Sequence, residues 1–154
     1  MTKFTNDHLS YSRLSRFERC PLSFKFHYID KLKPKQHRGV FFGKLVHRAL
    51  EGLVREAVQQ KLVGRLSEDR SFEMLRQCWR DERIPEDDML DRAGFMLIQF
   101  VHRQGLFDYR NILAVEKEFH LQVGDYTVLG YIDRVDRVNE DTIRIIDYKA
   151  RERL

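Results

Sequence analysis

The chain has 154 residues, of which 42% are hydrophobic and 34% are charged, and its formal net charge is +4. This composition predicts one globular domain with its own core and argues against an intrinsically disordered protein. No apolar run approaches the roughly 20 residues of a membrane-spanning helix, and the first residues lack the apolar segment of a secretory signal. The two cysteines, Cys20 and Cys78, indicate a reducing compartment, so we expect a soluble, cytoplasmic protein.

Positive charge is concentrated in residues 1–40, where nine Lys and Arg residues outnumber three acidic residues. Residues 65–92 have the opposite balance, with nine acidic and six basic residues. The basic segment is compatible with contacts to nucleic-acid phosphates, and the alternative is an ordinary solvated helical face. The candidate DNA-binding residues are Arg13, Arg16, Arg19, Lys31, Lys33 and Lys35.

Helical spacing of apolar residues dominates the first hundred residues. Ser10 is a typical N-cap for a helix over YSRLSRFER, and Pro21 suits the first turn of a second helix, LSFKFHYI. The basic stretch KLKPKQHRG then predicts a loop. The clearest helix runs from about Phe42 to Leu62 along a continuous apolar stripe, and Gly64 is the expected stop.

Two more helices are predicted before the pattern changes. One lies around SFEMLRQCWRDER and is broken by Pro85, and the other covers residues 87–104 and ends at Gly105. Beyond Tyr109, the stretches ILAVEKEFHLQV, DYTVLGYIDRVDRV and TIRIIDYK are rich in β-branched and aromatic residues and predict three antiparallel strands. The expected fold is a single α+β domain over 1–154. It has a mainly helical part (1–106), which includes the His47 helix, packed on a small mixed or antiparallel sheet (110–150).

The last predicted strand, IRIIDYKA, places an acid and a base on one face. Side chains alternate along a strand, so Asp147 and Lys149 project to the same side, and a hairpin with the preceding strand brings Asp133 close to Asp147. Neighbouring carboxylates repel each other unless a cation bridges them, and oxygen ligands suit Mg²⁺ or Mn²⁺. A lysine beside such a site can assist the attack of water on a phosphate. The alternative is a solvated ion pair between Asp147 and Lys149.

These residues carry a family resemblance. GYIDRVD followed by IIDYK is similar to the core of the PD-(D/E)XK nucleases, in the G-x-x-D…D-Y-K form of RecB-like and AddB-type enzymes. GKLVHRALE resembles the histidine motif on an upstream helix of that group. SYSRLSRFERCPLSFKFHY resembles its S-x-S…C-P-x-x-F-x-x-x-Y opening. Together the motifs run in the family order over nearly the whole chain, and they imply a restriction-endonuclease-like core.

The resemblance assigns roles to particular residues. It implies that Asp133 and Asp147 are catalytic metal ligands, that Lys149 is the catalytic lysine and that His47 adds a nitrogen ligand. Glu116 is an auxiliary candidate, and the alternative is an exposed strand residue. Arg134, Asp136 and Tyr148 point to the opposite face and are expected to be structural, with Tyr148 packed in the interior.

The sequence departs from the family after Lys149. Related proteins continue into a helix with a Gln and a Tyr and then another strand, whereas this chain has only ARERL. A fragment truncated after residue 154 is one interpretation, and a minimal form of the nuclease without a cluster is the other. Iron–sulfur members use four cysteines, one near the start and three near the end. Cys20 occupies the first position without a downstream trio, so we expect a buried thiol and no iron–sulfur cluster.

The sequence therefore predicts a metal-dependent nuclease acting on DNA with single-stranded character. The resemblance suggests an exonuclease in DNA repair, recombination or phage or CRISPR-type processing, with a helicase as a separate or fused partner. A catalytically inactive DNA-binding or scaffolding module of a helicase–nuclease complex is the alternative.

Overall fold

A computed structural model describes residues 8–32, 38–82 and 88–150. The described residues form two compact units, one of 8–32 with 117–132 and the other of 38–82 with 88–116 and 133–150. Helices and small sheets combine in an α+β fold, which confirms the predicted class. None of the helices in these described ranges is long and apolar enough to cross a membrane.

The first unit begins with strand β1 (His8–Leu9), helix α1 (Tyr11–Arg19) and the short helix α2 (Pro21–Phe24), which continues as a π-helical segment over Lys25–Ile29. Ser10 caps α1 because its hydroxyl accepts a hydrogen bond from the Arg13 backbone N–H, as the sequence predicts.

Cys20 differs from its prediction. Its thiol is exposed, not buried, because the residue lies between two helices and its Sγ accepts a hydrogen bond from the Ser23 backbone N–H at 3.4 Å. The sulfur thus takes the capping position of α2, which lies at the surface of the first unit.

Three helices form most of the second unit: α3 (Arg38–Gln59), α4 (Glu68–Asp81) and α5 (Asp88–Gln104). The predicted stop of α3 at Gly64 is wrong. The helix ends at Gln59, Lys61 takes the left-handed conformation (φ 54°) that terminates helices, and Gly64 lies in strand β2 (Val63–Arg65). Gly105 follows α5 with φ 64°, as predicted, whereas Pro85 lies outside the described residues.

The core of the second unit is made by facing apolar stripes of these helices. Most apolar residues of α3 predicted to face inward are almost completely buried, and α4 and α5 contribute further buried side chains: Phe42, Leu45, Val46, Ala49, Leu50, Leu75, Trp79, Met89, Ala93 and Leu97. Burial of each large side chain contributes about 1.5–3 kcal/mol. These buried contacts hold the backbone of α3 in place in the second unit.

The strands follow the helices, with β3 (Leu106–Asp108) pairing antiparallel with β2. Strands β4 (Ile112–Val123) and β5 (Tyr126–Arg137) are neighbours joined at Gly124, and β6 (Ile143–Ile146) pairs antiparallel with β5. The sheet is mixed, since β1 pairs parallel with β5. The last strand was predicted too long: β6 ends at Ile146, and residues 147–150 continue without strand pairing.

Close packing of α4 on α5 depends on Gly94, because a Cβ at that position would overlap the Phe72 ring. We expect Gly94→Ala to lower the free energy of unfolding by about 1–3 kcal/mol. Gly43→Ala is the matched control, since it is also in a helix and a Cβ there meets no atom within 4 Å. Alanine is the better helix former, so this control should stabilise by up to about 1 kcal/mol. Urea unfolding of both variants tests the packing, and an equal effect of the two substitutions would contradict it.

Candidate active site

His47 lies on the flank of the α3 stripe, at the edge of the buried face. Its neighbours Val46 and Leu50 are buried, whereas the His47 side chain is about one third exposed. The imidazole Nε2 lies 2.9 Å from Asp133 Oδ2, and Nδ1 lies 3.4 Å from Glu116 Oε1. A histidine between two carboxylates on the rim of a core is in a position suited to binding a cation.

Asp133 lies on β5 and is almost completely buried, at 7% exposure. Its Oδ2 also accepts a hydrogen bond of 2.5 Å from the backbone N–H of Tyr148. A buried carboxylate requires partners, because an uncompensated charge in the interior is unfavourable. The Tyr148 amide and His47 are the partners, and together they fix the orientation of this carboxylate.

Glu116 lies on β4 at a strained point of the backbone. Its φ of 50° is unusual for a non-glycine residue and costs on the order of 1–3 kcal/mol. Its Oε1 is buried and accepts no hydrogen bond from any described residue. Burial raises the pKa of the Glu116 carboxyl, and the neighbouring His47 opposes that rise. A strained residue that holds an unsatisfied buried oxygen next to another acid indicates a functional position.

These three residues form a group that fits a divalent cation. His47, Glu116 and Asp133 each offer one ligand atom, and these atoms lie within 4.8 Å of one another. One imidazole nitrogen and two carboxylate oxygens suit Mn²⁺ and are compatible with Mg²⁺, which prefers oxygen and retains several waters. Glu116 Oε1 lies 3.4 Å from His47 Nδ1 but accepts no hydrogen bond from a described residue, and a bound cation would satisfy it.

Asp147 and Lys149 lie beside the group rather than within it. Lys149 Nζ contacts Asp147 Oδ2 at 2.7 Å and Oδ1 at 2.9 Å, and both side chains are more than half exposed. The two side chains therefore project to the same side, although their segment is not paired as a strand. Together with His47, they line one cavity of about 350 Å³ in the second unit.

Tyr148 packs against the core, as predicted, but the prediction that it points away from the site is wrong, because it lines the same cavity as His47 and Lys149. Its ring meets His47 and Phe100 edge-on, with centroid distances of 5.8 and 5.6 Å. Burial raises the pKa of its phenol, and the adjacent Arg134 guanidinium opposes that rise. The packed ring supports the imidazole of His47 from one side, while the Tyr148 backbone amide holds Asp133.

Arg134 and Asp136 are structural, again as predicted. Arg134 is 1% exposed and donates to both Asp136 oxygens at 2.6 Å and to Gln104 Oε1 at 2.8 Å. Removing one partner of such a buried pair typically costs 3–5 kcal/mol. The pair therefore anchors the β5 segment that carries Asp133.

The candidate DNA-binding residues lie in the first unit where they are described. The guanidinium carbons of Arg13 and Arg16 lie 4.9 and 6.0 Å from the centroid of the Tyr28 ring, and Arg19 donates to Ser15. Lys31 is exposed, with φ 52°. Lys33 and Lys35 lie outside the described residues. The structure thus gives Arg13 and Arg16 a packing role in addition to their charge.

The structure also adds residues that the sequence did not single out. Gln99 and Arg103 of α5 line the same cavity as His47, Asp147 and Lys149. Their spacing of four residues places both on one face of the helix, and this spacing is the feature of the sequence that could have identified them. Both are polar residues beside an otherwise apolar stripe, which made them indistinguishable from solvated surface residues in the sequence.

Comparisons with known proteins give one match. A family model described as the PD-(D/E)XK nuclease superfamily matches residues 8–154. The searches of curated proteins and of solved structures found no match.

The metal assignment is testable at Glu116. Glu116→Gln removes a charged ligand, so we expect Mn²⁺ affinity to fall on the order of tenfold or more. Glu118→Gln is the matched control, because Glu118 lies on the same strand but accepts hydrogen bonds from His120 and Tyr131. Calorimetry with Mn²⁺ measures both variants, and equal affinities for Glu116→Gln and the parent chain would exclude Glu116 as a ligand.

Proposed function

The chain belongs to the PD-(D/E)XK nuclease superfamily, and we propose that it is a Mg²⁺- or Mn²⁺-dependent deoxyribonuclease that hydrolyses phosphodiester bonds. The convergence of His47, Glu116 and Asp133 carries this proposal, because their ligand atoms lie within 4.8 Å of one another. A divalent cation bound there would supply a polarised phosphate and a nucleophile generated from water.

The chain's own residues have separate proposed roles at this site. His47 and Asp133 are held by packing and by the Tyr148 amide, so their ligand atoms need little rearrangement to bind a cation. Glu116 contributes the charge that the cation neutralises. Asp147 is the further carboxylate at the rim, and we propose that it joins the ligands from there, as the family resemblance implies.

Lys149 is the proposed catalytic lysine. Its ammonium projects into the same cavity as His47, and its only described partner is the exposed carboxylate of Asp147. An exposed ion pair of this kind contributes about 0–1 kcal/mol, so Lys149 can exchange Asp147 for a substrate phosphate at little cost. At the phosphate, the ammonium would offset the negative charge that develops in the transition state.

DNA is the proposed substrate, and strands with single-stranded character are the proposed form. The support is the excess of basic residues in the first 40 positions and the family itself. Exonuclease action, a role in repair, recombination or phage or CRISPR-type processing, and a helicase partner stay predictions from the resemblance.

A DNA-binding or scaffolding module without turnover is the second candidate. The observation that favours it is the position of Asp147 and Lys149, which pair with each other outside the group of His47, Glu116 and Asp133. The two candidates differ in one property, since only the nuclease requires Lys149 for a chemical step.

Lys149→Ala separates these candidates. We expect it to leave folding and Mn²⁺ binding nearly intact, because the side chain is 64% exposed, and to lower the cleavage rate on the order of 10² or more. Lys44→Ala is the control, since Lys44 is exposed and does not line the cavity. Cleavage of labelled DNA with Mn²⁺ measures both. Equal cleavage by Lys149→Ala and the control would remove Lys149 from the mechanism, and absence of cleavage by the parent chain would favour the binding module.

Lys31 tests the proposed DNA-binding segment. If it contacts a phosphate, Lys31→Gln should lower the slope of log affinity against log salt by about 0.7 for single-stranded DNA. Lys61→Gln is the matched control, because both lysines are exposed and have nearly the same positive φ, 52° and 54°. Fluorescence anisotropy over a series of salt concentrations gives both slopes. An unchanged slope for Lys31→Gln would assign this lysine to the solvated surface.

A further inference from the structure

The cavity beside the candidate active site has a second wall, which the proposed mechanism does not use. About 350 Å³ of space lies between the residues that follow β6 and helix α5, which contributes Met96, Gln99, Phe100, Arg103 and Gln104. This volume is within the range of about 300–1,000 Å³ that is common for small-molecule sites. The space thus has room for part of a substrate beyond the single phosphate that reacts.

The basic side chains that line this cavity differ in whether an acidic partner already lies next to them. Both imidazole nitrogens of His47 lie next to carboxylates, and Lys149 is paired with Asp147. Arg103 also lines the cavity and is exposed, and it has no ion-pair partner among the described residues. Of the basic side chains that line the described cavity, Arg103 is therefore the one that needs to give up no ion pair to bind an anionic ligand.

Arg103 lies in the last turn of α5, where basic residues are common for a general electrostatic reason. Basic residues near a helix C-terminus are stabilised by the helix dipole whatever they face. His102, in the same turn, satisfies that preference on another side of the helix, where its Nε2 lies 2.6 Å from Glu68 Oε1. The dipole does not explain why Arg103 faces the cavity that contains His47 and Lys149.

The chemistry of the cavity indicates which ligand Arg103 would take. A guanidinium binds phosphate oxygens through two parallel hydrogen bonds. Gln99 lies one turn earlier on the same face of α5 and adds an uncharged amide to the same wall of the cavity. A strand whose reacting phosphate lies at Lys149 would carry further phosphates within the same cavity. We propose that Arg103 is a substrate-contacting residue that binds a phosphate next to the one hydrolysed, an inference that rests on the proposed nuclease function.

The test pairs a protein variant with a change in the strand. In a series of short, labelled single-stranded oligodeoxynucleotides, each phosphodiester in turn is replaced by an uncharged methylphosphonate. Affinity is measured by anisotropy without divalent cations, so that no strand is cut. Arg76→Gln is the matched control for Arg103→Gln, because Arg76 is an exposed arginine on α4 that does not line the cavity.

We expect Arg103→Gln to weaken binding of the unmodified strand about tenfold and Arg76→Gln to leave it nearly unchanged. One methylphosphonate should weaken binding by the parent chain and by Arg76→Gln, but should cause no additional loss in Arg103→Gln, because the two changes remove the same contact. Identical methylphosphonate profiles for the two variants, or no binding of the strand by the parent chain, would overturn the proposal. Cleavage with Mn²⁺ is measured separately, so failure of the nuclease function and failure of the Arg103 contact give different results.

Discussion

Two neighbouring carboxylates, Glu116 and Asp133, are the constraint on which the arrangement of the second unit depends. Asp133 is 7% exposed, and Glu116 keeps a buried oxygen that accepts no hydrogen bond from the described part of the chain. Like charges in a poorly solvated place repel each other, and each pays a cost for leaving water. His47 is close to both, but one imidazole does not satisfy every carboxylate oxygen. The three side chains therefore do not fully satisfy one another, and a bound cation would complete the group.

Several features of the second unit hold this unfavourable group in place. The buried stripe of α3 fixes His47, and the buried pair of Arg134 and Asp136 anchors β5 next to Asp133. The Tyr148 amide directs its N–H to Asp133, while the Tyr148 ring packs on His47. Stability from the helical core therefore compensates for strain at the site, which is the usual relation between a rigid scaffold and a functional position.

The sequence predicted those parts of the site that follow from local patterns. Helical periodicity placed His47 on the flank of α3, and strand alternation separated Asp133 from Arg134. The role of Glu116 was visible only as an auxiliary option, because its positive φ departs from the alternation on which the strand prediction relied. The cavity-lining position of Arg103 depends on the packing of α5, which no local pattern specifies.

The wrong predictions for the end of the last strand and for Cys20 have a similar physical origin. The prediction extended the last strand to residue 150 because its composition is typical of strands, but β5 provides partners for β6 only as far as Ile146. Cys20 was predicted to be buried from the general preference of thiols, whereas its place between two short helices made it a cap. In both cases tertiary or capping interactions, rather than residue preference, determined the outcome.

The carboxylates at the site are thus of two kinds, which differ in how tightly the fold holds them. Asp133 is buried, Glu116 is partly buried and both are held by the fold, so under the proposed function they would bind a cation with little loss of conformational entropy. Asp147 and Lys149 are exposed and held mainly by each other, so their pairing can change when a phosphate arrives. Under the proposed function, a phosphate that draws Lys149 away from Asp147 would leave that carboxylate free to join the proposed ligands. Substrate binding and completion of the ligand set would then be one coupled event, driven by the exchange of a single ammonium between two anions.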